Sequence, residues 1–266
     1  MFQQFNISRS GFGAYQKMMF NITNNISNAQ TPGYKQTRVE LATLFPVILQ
    51  QAEAVYAEDE AMNPYVKKKR GIELGTGVQV EAITKDFRQG SIQVTKNELD
   101  LAIQGHGFFQ YRLPDGRVAY GRAGNLTQDA QGNLINQTGY QLDPPIRLPQ
   151  NTNQITIDQE GRVFVRINQD TVPREIGQLL LARFPNPGGL KALGQNLYQE
   201  SLDSGEPIVD VPGRNNTGQV VQFAKEASNV DIIREMMQMI MTQKGLELLG
   251  KAMSAGTKML NAGMGM

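Results

Sequence analysis

The chain has 266 residues, 40% of them hydrophobic, with 26 Lys and Arg against 25 Asp and Glu and a net charge of +1. That balance gives no electrostatic argument for nucleic acid or an anionic lipid surface, and no apolar run approaches the roughly 18 residues of a membrane helix. With no cysteine, disulfide frameworks and thiolate sites are excluded.

The start, Met1-Phe2-Gln3-Gln4-Phe5-Asn6, has no basic segment followed by an apolar core. It is therefore not expected to be a conventional cleaved signal peptide, and any export would use another route. Phe5, Phe12, Met19 and Ile26 then recur at sevens, with Ser8, Tyr15, Ile22 and Ala29 interleaved. This heptad pattern predicts a helix from about Ile7 to Asn28. Thr31-Pro32-Gly33 stops it, because proline removes a donor and biases the preceding residue towards extended geometry. Asn21, Asn24, Asn25 and Asn28 crowd the last turns, as inter-helix polar contacts or as fraying points.

Residues 36–89 read as an extended linker with β-strand. Val39 to Leu49 fits a strand or a short helix broken at Pro46, and Val78, Val80, Ala82 and Ile83 continue as a strand after the turn Gly75-Thr76-Gly77. Between them Glu53, Glu58, Asp59 and Glu60 precede Lys67-Lys68-Lys69-Arg70. Such a charge run is ordinarily a solvated face, the functional reading being contact between neighbouring subunits.

Residues 90–211 change to short alternating strands and turns. Leu113-Pro114-Asp115-Gly116-Arg117, Asp129-Ala130-Gln131-Gly132-Asn133 and Asp158-Gln159-Glu160-Gly161-Arg162 read as hairpin turns. They lack the oxygen ligands of a calcium loop. In Gly105-His106-Gly107-Phe108-Phe109 the glycines allow close backbone approach and the phenylalanines anchor a core. His106, the only histidine, has no partner at metal-ligand spacing and reads as a surface or turn residue. Glu98 and Asp100 share a strand face without a visible pocket, so no catalytic residue, cofactor site or metal site is assigned.

Residues 212–266 form a return segment and a last helix. Ser228 is the candidate N-cap, with Asp231 in the first turn. Ile232, Met239, Leu246, Met253 and Leu260 recur every seven residues, and Met236 adds the four-three offset. The result is about thirty helical residues, roughly 50 Å long. Ile233, Met237, Ile240 and Met241 lie off that seam, so the helix is apolar over most of its girth and should be buried on several sides, in a polymer or in an ordinary core. The fold class predicted is α+β: long N- and C-terminal helices (1–35 and 212–266) paired as a coiled-coil-like stalk, a linker at 36–89, and an inserted antiparallel β domain at 90–211.

Five stretches carry a resemblance. Asn24-Asn25-Ile26-Ser27-Asn28-Ala29-Gln30-Thr31-Pro32-Gly33-Tyr34-Lys35 and Ala227-Ser228-Asn229-Val230-Asp231 resemble the two terminal signatures of the bacterial flagellar basal-body rod protein family. Gly71 to Val78 is similar to the Gly-Thr-Gly-Val stretch of its distal rod members, and the segments Leu101 to Gln110 and Leu193 to Tyr198 resemble the head motifs. The last helix departs from the family at Gln243-Lys244-Gly245-Leu246-Glu247. The resemblance implies a structural, non-enzymatic subunit of the distal rod, exported by the flagellar type III apparatus and stacked into a hollow drive shaft in the periplasmic space. It implies as partners further copies of the chain, proximal rod and hook proteins and surrounding bushing rings, with no nucleic acid and no membrane insertion. A proximal rod or hook-type axial protein is the alternative.

Overall fold

The computed structural model describes residues 2–50, 54–55, 67–68, 72–167 and 172–264. It divides into two units. One comprises Met1–Thr23, Arg38–Thr84 and Met236–Met266; the other comprises Asn24–Thr37 and Lys85–Glu235. The boundaries fall within both helices, α1 (Phe2–Ser27) and α2 (Ile232–Met264).

The larger unit is built on antiparallel strands. In its main sheet Phe108–Arg112 is central, flanked by Val118–Gly121, Gln141–Leu142 and Leu181–Arg183. The path continues through Leu134–Asn136, Gly124–Gln128 and Asp100–Gln104 to Gln219–Gln222. A second sheet joins Thr152–Ile157, Arg162–Ile167 and Arg174–Gln178. The three hairpin turns form where expected. Asp129 Oδ1 accepts from the backbone N–H of Gln131 and Asn133, and Asp158 Oδ1 from that of Arg162, while Gly116, Gly132 and Gly161 take positive φ.

Strand alternation sends the two phenylalanines to opposite sides. Phe109 enters a core with Leu101, Ile103, Tyr111, Leu126, Leu134, Val163 and Leu181. Phe108 joins Tyr120, Phe184, Leu190 and Tyr198, with ring centroids 5.5 Å from Phe87 and 5.8 Å from Phe184 in edge-on contacts. The first cluster is buried, and the second borders a hollow along Phe87, Phe108 and Phe184.

The smaller unit is thin. Its linker folds as a two-stranded ribbon in three steps: Thr37–Thr43 with Val78–Lys85, Val47–Gln50 with Ile72–Leu74, and Ala54–Val55 with Lys67–Lys68. Val39 to Thr43 and Val47 to Leu49 are therefore strand, broken at Leu44-Phe45-Pro46, and not helix. Of the charge run, Lys67 and Lys68 are in a strand, while Glu53, Glu58, Asp59, Glu60, Lys69 and Arg70 lie outside the described residues. The ribbon meets α1 where the Val78 N–H donates to Ser10 Oγ at 3.3 Å, and at Gly77, φ +120°, a Cβ would collide with the same hydroxyl.

The expected α+β fold with a coiled-coil-like stalk is corrected. Strand outweighs helix, and the only helices of any length among the described residues are the two terminal ones. A coiled coil needs large apolar knobs at both heptad rows. One row in each helix is covered as expected, Ser8-Tyr15-Ile22 in α1 and Met239-Leu246-Met253 in α2. The companion row falls one residue earlier than the apolar pattern says. It is Gly11-Met18-Asn25 and Glu235-Thr242-Leu249-Gly256, largely small or polar. The residues expected there, Phe12 and Met236, are 46% and 52% exposed, and Ile232 at the head of the other row is 40% exposed. Glycines therefore mark the helix contacts in this unit. A Cβ at Gly11 would lie 3.2 Å from Leu249 Cδ1, and one at Gly245 would lie 2.8 Å from the Tyr15 ring.

Candidate functional site: a polar clasp between the two terminal signatures

Within the larger unit, the segment leaving α1 and the segment entering α2 meet side by side, and polar side chains fasten them. Asn25 is 1% exposed. Its Oδ1 accepts from the Thr37 N–H at 3.0 Å and the Tyr34 hydroxyl at 3.1 Å, and its Nδ2 donates to the Thr37 carbonyl at 2.9 Å and Glu235 Oε2 at 3.3 Å. Gln36 Nε2 donates to Glu235 Oε1 at 2.5 Å. The Gln36 N–H donates to Asn229 Oδ1 at 2.7 Å, while Asn229 Nδ2 donates to the carbonyls of Asp86 at 2.8 Å and Arg88 at 3.0 Å. Both carboxylate oxygens of Glu235 are thus satisfied by amides, as burial demands.

Beneath this layer lies a buried ion cluster. Lys35, Glu226 and Arg122 are 0%, 1% and 4% exposed. Glu226 Oε1 accepts from Lys35 Nζ at 2.7 Å and the Gly90 N–H at 2.9 Å, and Oε2 accepts from Arg122 Nε at 2.7 Å. Lys35 also donates to the Arg88 carbonyl, and Arg122 to the carbonyls of Gly107 and Gly105. Burial pushes the Glu226 carboxyl up, but Arg122 and Lys35 outweigh it and hold it below the usual range. Burial dominates at Lys35 and lowers it despite Glu226. Tyr34 is raised, chiefly by burial, and Lys85, lowered by burial, stands over the Tyr34 and Tyr198 rings at 5.7 and 5.3 Å.

Each residue singled out from the sequence has a place. Asn24 and Asn28 bond to each other, with Asn28 Nδ2 2.8 Å from Asn24 Oδ1, and Thr31 donates to Asn28 Oδ1. Gly33 turns the chain at φ +69°, where a Cβ would sit 2.7 Å from the Ala123 backbone nitrogen. Ser228 is buried and Val230 half-buried. The cap of α2 is Asp231 and not Ser228: Asp231 Oδ1 accepts from the N–H groups of Ile233 at 3.0 Å and Arg234 at 3.2 Å, because α2 starts at Ile232. Gly105 and Gly107 take φ +109° and +140° and give Arg122 its carbonyl partners.

Ile22 is buried, and Phe5, Tyr15, Met19, Ile26, Met239, Leu246 and Met253 are half-buried. Ile233, Met237 and Ile240 are exposed, like Phe12, Ile232 and Met236, and Leu260 falls within α2. His106 is exposed on a hollow of about 230 Å³ walled by Phe87, Phe108, Phe184, Pro185 and Pro187, which no carboxylate lines. Glu98 accepts from the Ile155 N–H of the second sheet and Asp100 from its neighbour Asn97.

Sequence reasoning missed Gln36, Arg122, Glu226 and Glu235 as members of the clasp. Glu235 interrupts the apolar start of α2, and Glu226 stands beside the second signature, which are faint signals. The bonds themselves join residues about two hundred positions apart, which no spacing rule reaches.

The clasp thus unites two signatures from opposite ends of the chain. Residues 102–165 match the family model described as flagellar hook protein FlgE/F/G D1 domain, and residues 221–266 match flagellar basal body rod FlgEFG protein C-terminal. The class is that of flagellar rod and hook proteins. Within it, the chain is 39% identical over 254 residues to flagellar basal-body rod protein FlgG of Buchnera aphidicola subsp. Schizaphis graminum, covering 96% of this chain and 95% of the other. It is 36% identical over 260 residues to FlgG of Caulobacter vibrioides, covering 98% and 97%. To FlgG of Bacillus subtilis it is 30% identical over 256 residues, covering 94% of each. The chain belongs to the FlgG family of flagellar basal-body rod proteins.

Proposed function

We propose that the chain is a structural subunit of the flagellar distal rod, polymerising helically through its terminal helices into a hollow shaft that transmits torque from motor to hook. One observation carries this reading: the outward face of α2 leaves large apolar side chains in water. Ile233 is 72% exposed, Ile240 58%, Met241 71% and Leu248 66%. Apolar surface of this extent on one helix is stable only when neighbours cover it. Copies of the same chain supply such neighbours on every side, and many modest contacts suit a shaft under torque better than one hot spot.

The partners on this reading are further copies, proximal rod and hook proteins at the two ends, the surrounding bushing rings and the type III export apparatus. The shaft lies in the periplasmic space, and the subunit does no catalysis. The test is electron microscopy of the purified chain at high concentration. Helical tubes are expected; an ordered single particle that keeps both helices against its own interior would overturn the proposal.

A further inference from the structure

Among the described side chains of α2, half of the exposed large apolar residues are methionines: Met236, Met237, Met241 and Met259, at 52%, 52%, 71% and 65% exposure. They alternate with Ile233, Ile240 and Leu248 along the face turned away from the covered row. Met239 and Met253, on the covered row, are half-buried. A thioether packs adaptably, which suits a face that must fit several neighbours, but it is also the apolar group most readily oxidised.

We propose that Met236, Met237, Met241 and Met259 form a peroxide-sensitive modification site whose conversion to sulfoxide blocks polymerisation of the free subunit. The inference rests on the rod-subunit reading. In the step, a sulfur lone pair attacks one peroxide oxygen, the S–O bond forms and the O–O bond breaks. The departing hydroxide takes up a proton and leaves as water. Sulfur loses two electrons and the peroxide gains them. The product carries a polar S=O where α2 must go into a dry contact, and burying such a group without a donor weakens association on the order of tenfold per site. Once the face is covered, the same sulfurs are out of reach, so an assembled polymer is spared.

The test exposes the purified full chain to hydrogen peroxide, follows each methionine by peptide mass spectrometry, and measures polymer by sedimentation. The four exposed methionines should oxidise several-fold faster than Met239 and Met253, and the critical concentration should rise at least about tenfold. Methionine sulfoxide reductase should restore assembly. A variant carrying Met236→Leu, Met237→Leu, Met241→Leu and Met259→Leu should polymerise equally with and without peroxide. Equal oxidation rates at all six sulfurs, undiminished assembly of the oxidised chain, or loss of assembly in the leucine variant after peroxide would each overturn the inference. Failure of the untreated wild type to polymerise would sink the rod reading and the assembly effect together, while the order of oxidation rates is decided independently.

Discussion

The two units obey opposite rules of burial. In the larger one, apolar side chains close over each other in two clusters, and a buried carboxylate, lysine and arginine are satisfied by one another and by backbone groups. In the smaller one, Phe45 is 93% exposed on the ribbon and Ile233 72% exposed on α2, and glycine takes the place of knobs at the helix contacts. Both clusters lie in the first unit, although Val94, Val172 and Leu202 are exposed on it, and among the described residues the second unit has no such cluster. Marginal stability makes that difference consequential, because a few kcal/mol decide whether a segment is ordered.

The comparison breaks most visibly at Ile240. Ile240→Asp places a charge on the uncovered face and should abolish polymer in sedimentation and microscopy while the near-ultraviolet circular dichroism of the β unit is unchanged. Loss of the β signal would mean that the two regions are not separable in this way. Next in size is Glu226→Ala, which strands Lys35 and Arg122 without their counter-charge; removing one partner of a buried pair costs about 3–5 kcal/mol, read as a lower melting temperature.

Acid sharpens the same point. The Glu226 carboxyl is held below its unfolded value by Arg122 and Lys35 against the effect of burial. Its contribution is therefore fully present above the ordinary carboxylate range, near pH 4, and is lost as pH falls through the folded value. Wild-type stability should be level at neutral pH and fall in acid, and Glu226→Gln should flatten that fall. The smallest effect is expected at the cap: Asp231→Ala should cost about 1 kcal/mol, seen as faster amide exchange in the first turn of α2. In dilute monomer both helices should exchange quickly, and in polymer slowly.

What was legible in the sequence is what local chemistry fixes. Asp-x-x-Gly spacing wrote the hairpins, and the adjacent phenylalanines wrote a strand with two buried faces. The helices were legible by period, but their covered faces only in part, because an apolar pattern points to the greasiest row and not to the one that is covered. Glu235, Thr242, Gly11 and Asn25 occupy covered positions that a count of hydrophobic residues passes over. The stalk expectation failed for that reason. The clasp was invisible for another, since a bond from Gln36 to Asn229 exists only after the strands between them have folded.

Gln36 and Asn229 sit at the places where the chain departs from one helix and arrives at the other. Short fastenings at Asn25, Gln36, Asn229 and Glu235 therefore tie the two crossing points together inside the larger unit. Like a strain relief on a cable, such a knot should take tension at the entry before the ladder behind it is sheared.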